Sequence, residues 1–296
     1  MKITCRAYAK LNLHLDVAGR LPSGYHNVAM LMQSVSLHDT VTVETTERPG
    51  IEIVCDKKGI PGGAENIAWR AVQAFFGGAA GELANPPEGL RVALQKQIPA
   101  GAGLAGGSAD AAAVLTALQK MYAPDMPGEA LRAIGARVGA DVPFCLLGGC
   151  CWAEGVGDQL TPLPCLPAER YRVWLAKPDQ SIATGGAYAK IDARGVSHPA
   201  SPRSLAAQGA WPAVFPLCAN VFEQVTELPG LAEAKADCSA AGALLTQMTG
   251  SGSAVFAVGP QKADWPAVAG ALKKLGAFCV EVRPVPCGVA VVEPEK

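Results

Sequence analysis

No apolar run in this chain of 296 residues approaches the length needed to cross a bilayer, which excludes a spanning helix. Charge is scarce and balanced. Only 17% of residues are charged and the net charge is -1, so there is no basic footprint for nucleic acid or an anionic membrane. An anionic ligand would have to be held by local dipoles, not by overall charge. Among the 10 cysteines there is no Cys-x-x-Cys spacing, and the adjacent Cys150 and Cys151 do not make a zinc pattern. The opening residues, MKITCRAYAK, contain no apolar signal segment. These absences predict a cytoplasmic protein with reduced, mostly buried thiols. With 50% of residues hydrophobic, a packed core is available and disorder is excluded.

The densest signal is Pro99 to Ala113, PAGAGLAGGSADAAA. Gly101, Gly103, Gly106 and Gly107, with alanines between them, leave almost no side chain over the loop. Such a loop lets backbone N–H groups approach an anion closely. Residues 90–98 alternate as a strand does. Residues 108–122 read as a helix, with Val114, Leu115, Leu118 and Met121 at helical spacing. Strand, glycine loop and helix N-terminus together make a phosphate site. Gly101, Gly103 and Gly106 also satisfy the dinucleotide fingerprint, but no strand ending in an acid follows the helix; a turn, APDMPG, and a second helix at 128–138 come instead. No Gly-Lys-Ser/Thr closes the loop, which excludes a Walker loop. Phosphates would thus be held by backbone and helix dipole, with Ser108 as a hydroxyl ligand. Asp110 reads as a first-turn acid that complements the dipole.

Elsewhere, residues 6–17 alternate cleanly. Ala7, Ala9, Leu11, Leu13, Leu15 and Val17 face a core, while Tyr8, Lys10, Asn12, His14 and Asp16 face away. Strands are expected at 31–37, 40–45 and 51–55, with His38-Asp39 as a connection, and a helix at 66–76. After the second helix come Asp141, Pro143 and an apolar run, then a strand at 151–154. The second half offers strands at 171–176, 244–249, 254–258, 278–284 and 289–292, and helices at 219–226 and 265–275. Residues 193–215 read as a loop or weak helices. Gly250-Ser251-Gly252-Ser253 reads as a hairpin loop. Strands and helices mix without a βαβ rhythm, which predicts an α+β fold. The expected division is residues 1–158 and 159–296.

Three segments in this order, AYAKLNLHLDV, PAGAGLAGGSADAAA and MTGSGSAVFAV, resemble the GHMP kinases, small-molecule kinases with acceptors such as galactose, homoserine and mevalonate. The resemblance spans nearly the whole chain. It implies an N-terminal ATP-binding domain, a C-terminal ferredoxin-like substrate domain, and an active site in the cleft between them. AKLNLHLDV, SGYHNV, KQIPAGAGLAGGSADAA and GADVPFCLLGG are similar to the branch whose acceptor is a cytidine-diphosphate sugar alcohol. The loop departs from the usual pattern at Ala105, commonly glycine, and Ala109, commonly serine.

On pattern alone, Lys10 is a solvated lysine on an open strand face and Asp141 a turn aspartate. The resemblance instead makes Asp141 the base that takes the acceptor's proton and Lys10 its cationic partner. Asn12, two residues on, would orient the acceptor hydroxyl or the base. Pro99, Gly101, Gly103, Leu104, Gly106, Gly107 and Ser108 would hold the phosphates of ATP, with Asn66 and Lys96 near its adenine. Mg2+ would bridge the phosphates. Tyr25 would stack on cytosine, His26 would hydrogen-bond it, and Tyr188 would be a second stacking partner. Thr184 would touch substrate phosphate. A homoserine- or mevalonate-type acceptor and a catalytically silent nucleotide-binding protein are the other readings; the Tyr25-His26 turn argues for an acceptor that carries a base. The partners implied are small molecules, with no nucleic acid or membrane, for a monomer or homodimer.

Overall fold

The structure, a computed structural model, describes residues 1–22, 24–77, 87–180, 182, 184–198 and 200–292. The alternation that begins at Arg6 extends in both directions. Strand β1 (Lys2–Arg20) pairs antiparallel along most of its length with β2 (His26–Thr46). The two shorter strands expected within 31–45 are therefore one strand. It absorbs Ser36 and Leu37 as a bulge opposite Tyr8 and Ala9 instead of turning at His38-Asp39. A second bulge places Leu13 between the pairs Asn12–Met32 and His14–Leu31.

Strand β3 (Gly50–Cys55) runs parallel to β4 (Gly89–Gln95), which pairs with the far half of β2. Strand β5 (Cys150–Glu154) pairs with the near half of β2 and with β6 (Gln159–Leu163). A second, antiparallel sheet contains β7 (Tyr171–Lys177), β8 (Leu245–Met248), β9 (Val255–Pro260) and β10 (Phe278–Val282) in the order β10-β7-β9-β8. Strand β11 (Val289–Val292) then returns to the first sheet beside β1. Strands β6 and β11 thus join the first sheet from beyond residue 158.

Helices α1 (Ile67–Phe76), α2 (Gly106–Tyr122) and α4 (Val142–Leu147) pack on the first sheet, and α3 (Gly128–Val138) packs against all three. The middle of this layer is α2, which packs on β1 and β2 and against the other three helices. That position explains its alanines: small side chains let neighbours approach from every side. In the second half come α5 (Thr184–Arg194) and the short α6 (Arg203–Ala207) and α7 (Trp211–Val214). The helix expected at 219–226 is a single 3-10 turn, Val221–Gln224. Helix α8 (Leu231–Ala240), which the sequence pattern does not announce, packs with α9 (Trp265–Lys273) on the second sheet. Read from β7 through α8, β8, β9 and α9 to β10, with the sheet order 4-1-3-2, this half is ferredoxin-like.

One expectation needs correction. The polar face of β1 is not open to solvent: residues 9–17 are buried throughout. The second half lies over that face. His14 stacks on Trp152 with ring centroids 5.9 Å apart and meets the edge of His198 at 5.8 Å. Its Nδ1 accepts from the Ala219 N–H at 3.2 Å. Asp16 accepts from the His198 N–H at 2.8 Å.

Burial, with the neighbouring His198, pushes His14 down from the ordinary 6.5 to about 4, while Asp16 opposes the shift. The folded protein therefore holds a neutral imidazole that the unfolded chain protonates below pH 6.5. Its full stability is present above that pH and is lost as the pH falls toward 4. Urea unfolding of the wild type should lose about 2 kcal/mol from this group between pH 7.5 and pH 5. His14→Gln should be less pH-dependent by that amount; parallel curves for the two proteins would remove His14 from the effect.

Candidate active site

The two halves meet where two glycine loops touch. Gly103 has φ +76°, and a Cβ there would lie 2.2 Å from the Thr249 carbonyl oxygen. A Cβ on Gly250 would lie 3.0 Å from the Cα and carbonyl oxygen of Gly103. Only residues without side chains permit this approach. The Ala254 N–H donates to the Ala102 carbonyl at 3.1 Å and pins the loops together. Strand β1 runs alongside. The Lys10 N–H donates to the Leu104 carbonyl at 3.2 Å, and the Asn12 N–H to the Thr249 hydroxyl at 2.9 Å. From β8, the Gln247 amide donates to the carbonyls of Asn12 at 3.2 Å and Leu13 at 3.0 Å.

A cleft of about 810 Å³ opens over this junction. Lys10, Asn12, Tyr25, His26, Asn66, Lys96, Asp141, Tyr188 and the loop from Pro99 to Ser108 all border it, with Gly250, Ser251 and Gly252 opposite. Thr184 opens α5, but its side chain lies outside the described residues.

The glycine loop joins a strand to a helix as its spacing predicts, with one shift. Helix α2 begins at Gly106, two residues earlier than its pattern suggests. Ala105, at the helix entrance, holds φ +57°, the left-handed region where a glycine would be unstrained. The earlier start moves Asp110 into the second turn, so it is not a dipole-complementing acid. It pairs instead with Lys96, whose ammonium also pairs with Asp39. Asp39 is fully buried and accepts the backbone N–H groups of Gln97 at 2.6 Å and Ile98 at 2.8 Å.

Burial draws the Lys96 ammonium down, but Asp110 and Asp39 more than offset it and leave it above its ordinary value. For Asp110, burial pushes the carboxyl up, Lys96 pulls it down and Asp39 adds to the rise; the net direction is upward. Asp110 Oδ1 is buried without a hydrogen-bond partner.

Lys10 is set differently. It is 4% exposed, and its ammonium donates to the Asn12 amide oxygen at 2.5 Å. Among the described residues no carboxylate forms an ion pair with it, Asp141 included. Asn12 Nδ2 in turn meets Met30 Sδ at 3.2 Å. Asp141 occupies the N-cap position of α4, yet its carboxylate caps none of that helix's N–H groups, so those oxygens are not spent on local structure. Burial pushes the Cys145 thiol up; Asp141 and Asp110 add to this and Lys10 opposes it.

At the other end, His26 lies over Tyr188 with centroids 4.6 Å apart and planes 24° from parallel. Phe222 meets Tyr188 at 90°. Tyr25 is 68% exposed and has no aromatic partner among the described residues. Asn66 is used structurally: its Oδ1 caps α1 at the Ala68 N–H, 2.8 Å away, and its Nδ2 donates to the Pro61 carbonyl at 2.7 Å. Sequence reasoning missed Asp39, Thr249, Gln247 and Asp192, whose contacts cross long stretches of chain.

The family model described as the GHMP kinases N terminal domain matches residues 66–149, and the one described as GHMP kinases C terminal matches residues 210–277. Fold and cleft thus define the class, a GHMP kinase. The 4-diphosphocytidyl-2-C-methyl-D-erythritol kinase of Geobacter sulfurreducens is 38% identical over 262 residues, 87% of this chain and 90% of its own. That of Desulfitobacterium hafniense is 41% identical over 258 residues, 85% of each chain. A crystal structure of 4-(cytidine 5'-diphospho)-2C-methyl-D-erythritol kinase is 32% identical with a TM-score of 0.74, over 96% of this chain and 100% of that one. The chain belongs to the 4-diphosphocytidyl-2-C-methyl-D-erythritol kinase family. Homoserine kinase from Cytophaga hutchinsonii superimposes with a TM-score of 0.78, over 98% of this chain and 97% of that one, at 20% identity, a likeness of fold alone.

Removing the cation from the buried triad should be severe. Lys96→Met leaves Asp39 and Asp110 uncompensated and should cost about 3–5 kcal/mol in urea unfolding at pH 8. Adding Asp110→Asn should restore part of that, because one of the two stranded charges is gone. A double variant no more stable than Lys96→Met would show that the triad's charge balance is not what Lys96 supplies.

Proposed function

We propose that this chain transfers the γ-phosphoryl group of ATP to the 2-hydroxyl of 4-diphosphocytidyl-2-C-methyl-D-erythritol, giving the 2-phosphate and ADP. The observation that carries the reading is the convergence of Lys10, Asn12 and Asp141 with the glycine loop in one cleft that ends in His26 and Tyr188. The reaction belongs to the non-mevalonate route to isoprenoid precursors, and a cytoplasmic setting suits it.

Phosphoryl transfer asks for positioning and charge stabilisation. The loop from Gly101 to Ser108 holds the triphosphate through backbone N–H groups and the N-terminus of α2. As the acceptor oxygen bonds to the γ-phosphorus, the bond to the β–γ bridging oxygen breaks and ADP leaves. The hydroxyl proton passes to Asp141, whose oxygens the α4 N-terminus has not claimed. Lys10, steered by the neutral Asn12 amide, keeps its charge for the transferring phosphoryl oxygens. Leu104 serves through its backbone, since its side chain is core. Tyr25 is free to stack on the cytosine, opposite the ring pair of His26 and Tyr188.

Mg2+ accompanies the triphosphate in this reading. Ser108 and the unpartnered Asp110 Oδ1 on α2 offer hard oxygen atoms beside the loop that fit it. When bound, it neutralises charge on the phosphate oxygens.

The test is ADP release with Mg-ATP and 4-diphosphocytidyl-2-C-methyl-D-erythritol, run beside homoserine, mevalonate and galactose. Turnover confined to the cytidine compound is expected; turnover with another acceptor would overturn the substrate. Asp141→Asn should bind ATP normally and lose about 10²–10⁴-fold in kcat. A variant with near-normal kcat would take Asp141 out of the proton transfer.

A further inference from the structure

One contact at the aromatic end of the cleft is not used by the phosphoryl transfer itself. His26 Nε2 lies 2.7 Å from Asp192 Oδ1. The carboxylate only accepts, so Nε2 carries the hydrogen. In the neutral ring Nδ1 is then a bare acceptor, and it makes no hydrogen bond among the described residues. The same helix fixes the ring's plane. Tyr188 and Asp192 are four residues apart on α5, one above the other, so one face of the helix presents a ring beneath His26 and a carboxylate at its edge. Ala187 and Ile191, both buried, anchor α5 from its inner side. The imidazole is therefore held in position, plane and tautomer before any ligand arrives.

We propose that Asp192 is a positioning residue that fixes the tautomer of His26, and that the Nδ1 acceptor so created selects a pyrimidine bearing an exocyclic amino group over one bearing a carbonyl there. This rests on the reading that the ligand carries a pyrimidine at this end of the cleft. Cytosine offers an N–H donor at C4, where uracil offers only an oxygen. Against Nδ1, the first makes a hydrogen bond. The second sets two acceptors face to face and leaves both unpaired, the arrangement that gives a site its strongest rejection. As a structural element alone, the contact would do little. The Asp192 side chain is 40% exposed, and ion pairs so exposed add little to stability.

The test measures binding of CDP and UDP by calorimetry, so it needs no turnover. Wild-type protein should prefer CDP by about tenfold or more, and Asp192→Ala should bring the two affinities within about twofold, mainly by weakening CDP. Its melting temperature should stay within about 2 °C of wild type. Asp192→Asn, whose amide oxygen still accepts from Nε2, should keep part of the preference. In turnover, KM for the base-bearing acceptor should rise while kcat and the KM for ATP stay put. Nitrogen-15 NMR of the imidazole should show Nε2 protonated and Nδ1 bare in wild type, and a mixture in Asp192→Ala. Equal affinities in wild type, an undiminished preference in Asp192→Ala, or equal loss of both ligands would each overturn the inference. A CDP preference that depends on Asp192, in a protein that fails to phosphorylate the cytidine acceptor, would overturn the proposed reaction and leave this inference standing.

Discussion

The site depends on two backbones touching where no side chain fits. Gly103 and Gly250 come from different halves of the chain, and a Cβ on either would strike the other loop. Their contact sets how far the glycine loop stands from β1, and so where Lys10 and Asn12 emerge. Thr249 accepts from the Asn12 N–H and donates to the Gly103 carbonyl at 3.5 Å, so one hydroxyl ties β1, the glycine loop and the second half together. Asn220 supports the same loop from behind, donating to the carbonyls of Met248 at 2.7 Å and Gly250 at 2.8 Å. A phosphate held by backbone N–H groups is only as well placed as the loop that carries them. Here the loop is fixed by contacts that belong to the protein, not to the ligand.

Two buried lysines border the cleft, and their partners separate their roles. Lys96 faces two carboxylates, so its charge is consumed within the protein, and it braces β4 and the bulged β2 against α2. Lys10 faces a neutral amide. Asn12 steers the ammonium without cancelling it, so the full charge stays available to an anion. Had Asn12 been an aspartate, Lys10 would be held as firmly but would offer far less field to phosphate. A like distinction applies to the acids. Asp39 is saturated by two backbone N–H groups and Lys96, Asp110 keeps one oxygen unpartnered, and Asp141 sits at a helix start whose amides it does not cap.

Features set by local spacing were legible in the sequence. The alternation of β1, the strand, glycine loop and helix around Pro99, the helix at 128–138 and the hairpin closed by Gly250 all follow from periodicity and turn residues. Features set by what lies opposite were not. The polar face of β1 looks solvent-exposed because nothing local says that the second half covers it. The partners of Lys96 are 57 and 14 residues away, and Asp192 is 166 residues from His26. Helix α8 escaped notice because its buried residues, Ala234 and Cys238, are too small to mark an apolar face. Asn66 borders the cleft, and its side chain is engaged at both ends by the start of α1. Nothing local separates a capping asparagine from a ligand-binding one.

The two ends of the cleft are built from different material. The glycine-loop end is built mostly from backbone, which any sequence of small residues with the right turns can supply. A homoserine kinase at 20% identity superimposes with a TM-score of 0.78, a likeness of backbone alone. The aromatic end is built from side chains on the β1–β2 turn and α5, where Tyr25 and Asp192 are exposed and His26 and Tyr188 are half-buried. Changing Tyr25 or Asp192 costs the core little, because neither side chain packs into it. Fold similarity by itself therefore bears on neither ligand, and residue-level agreement along the cleft is what does. Specificity in such a scaffold resides where stability does not.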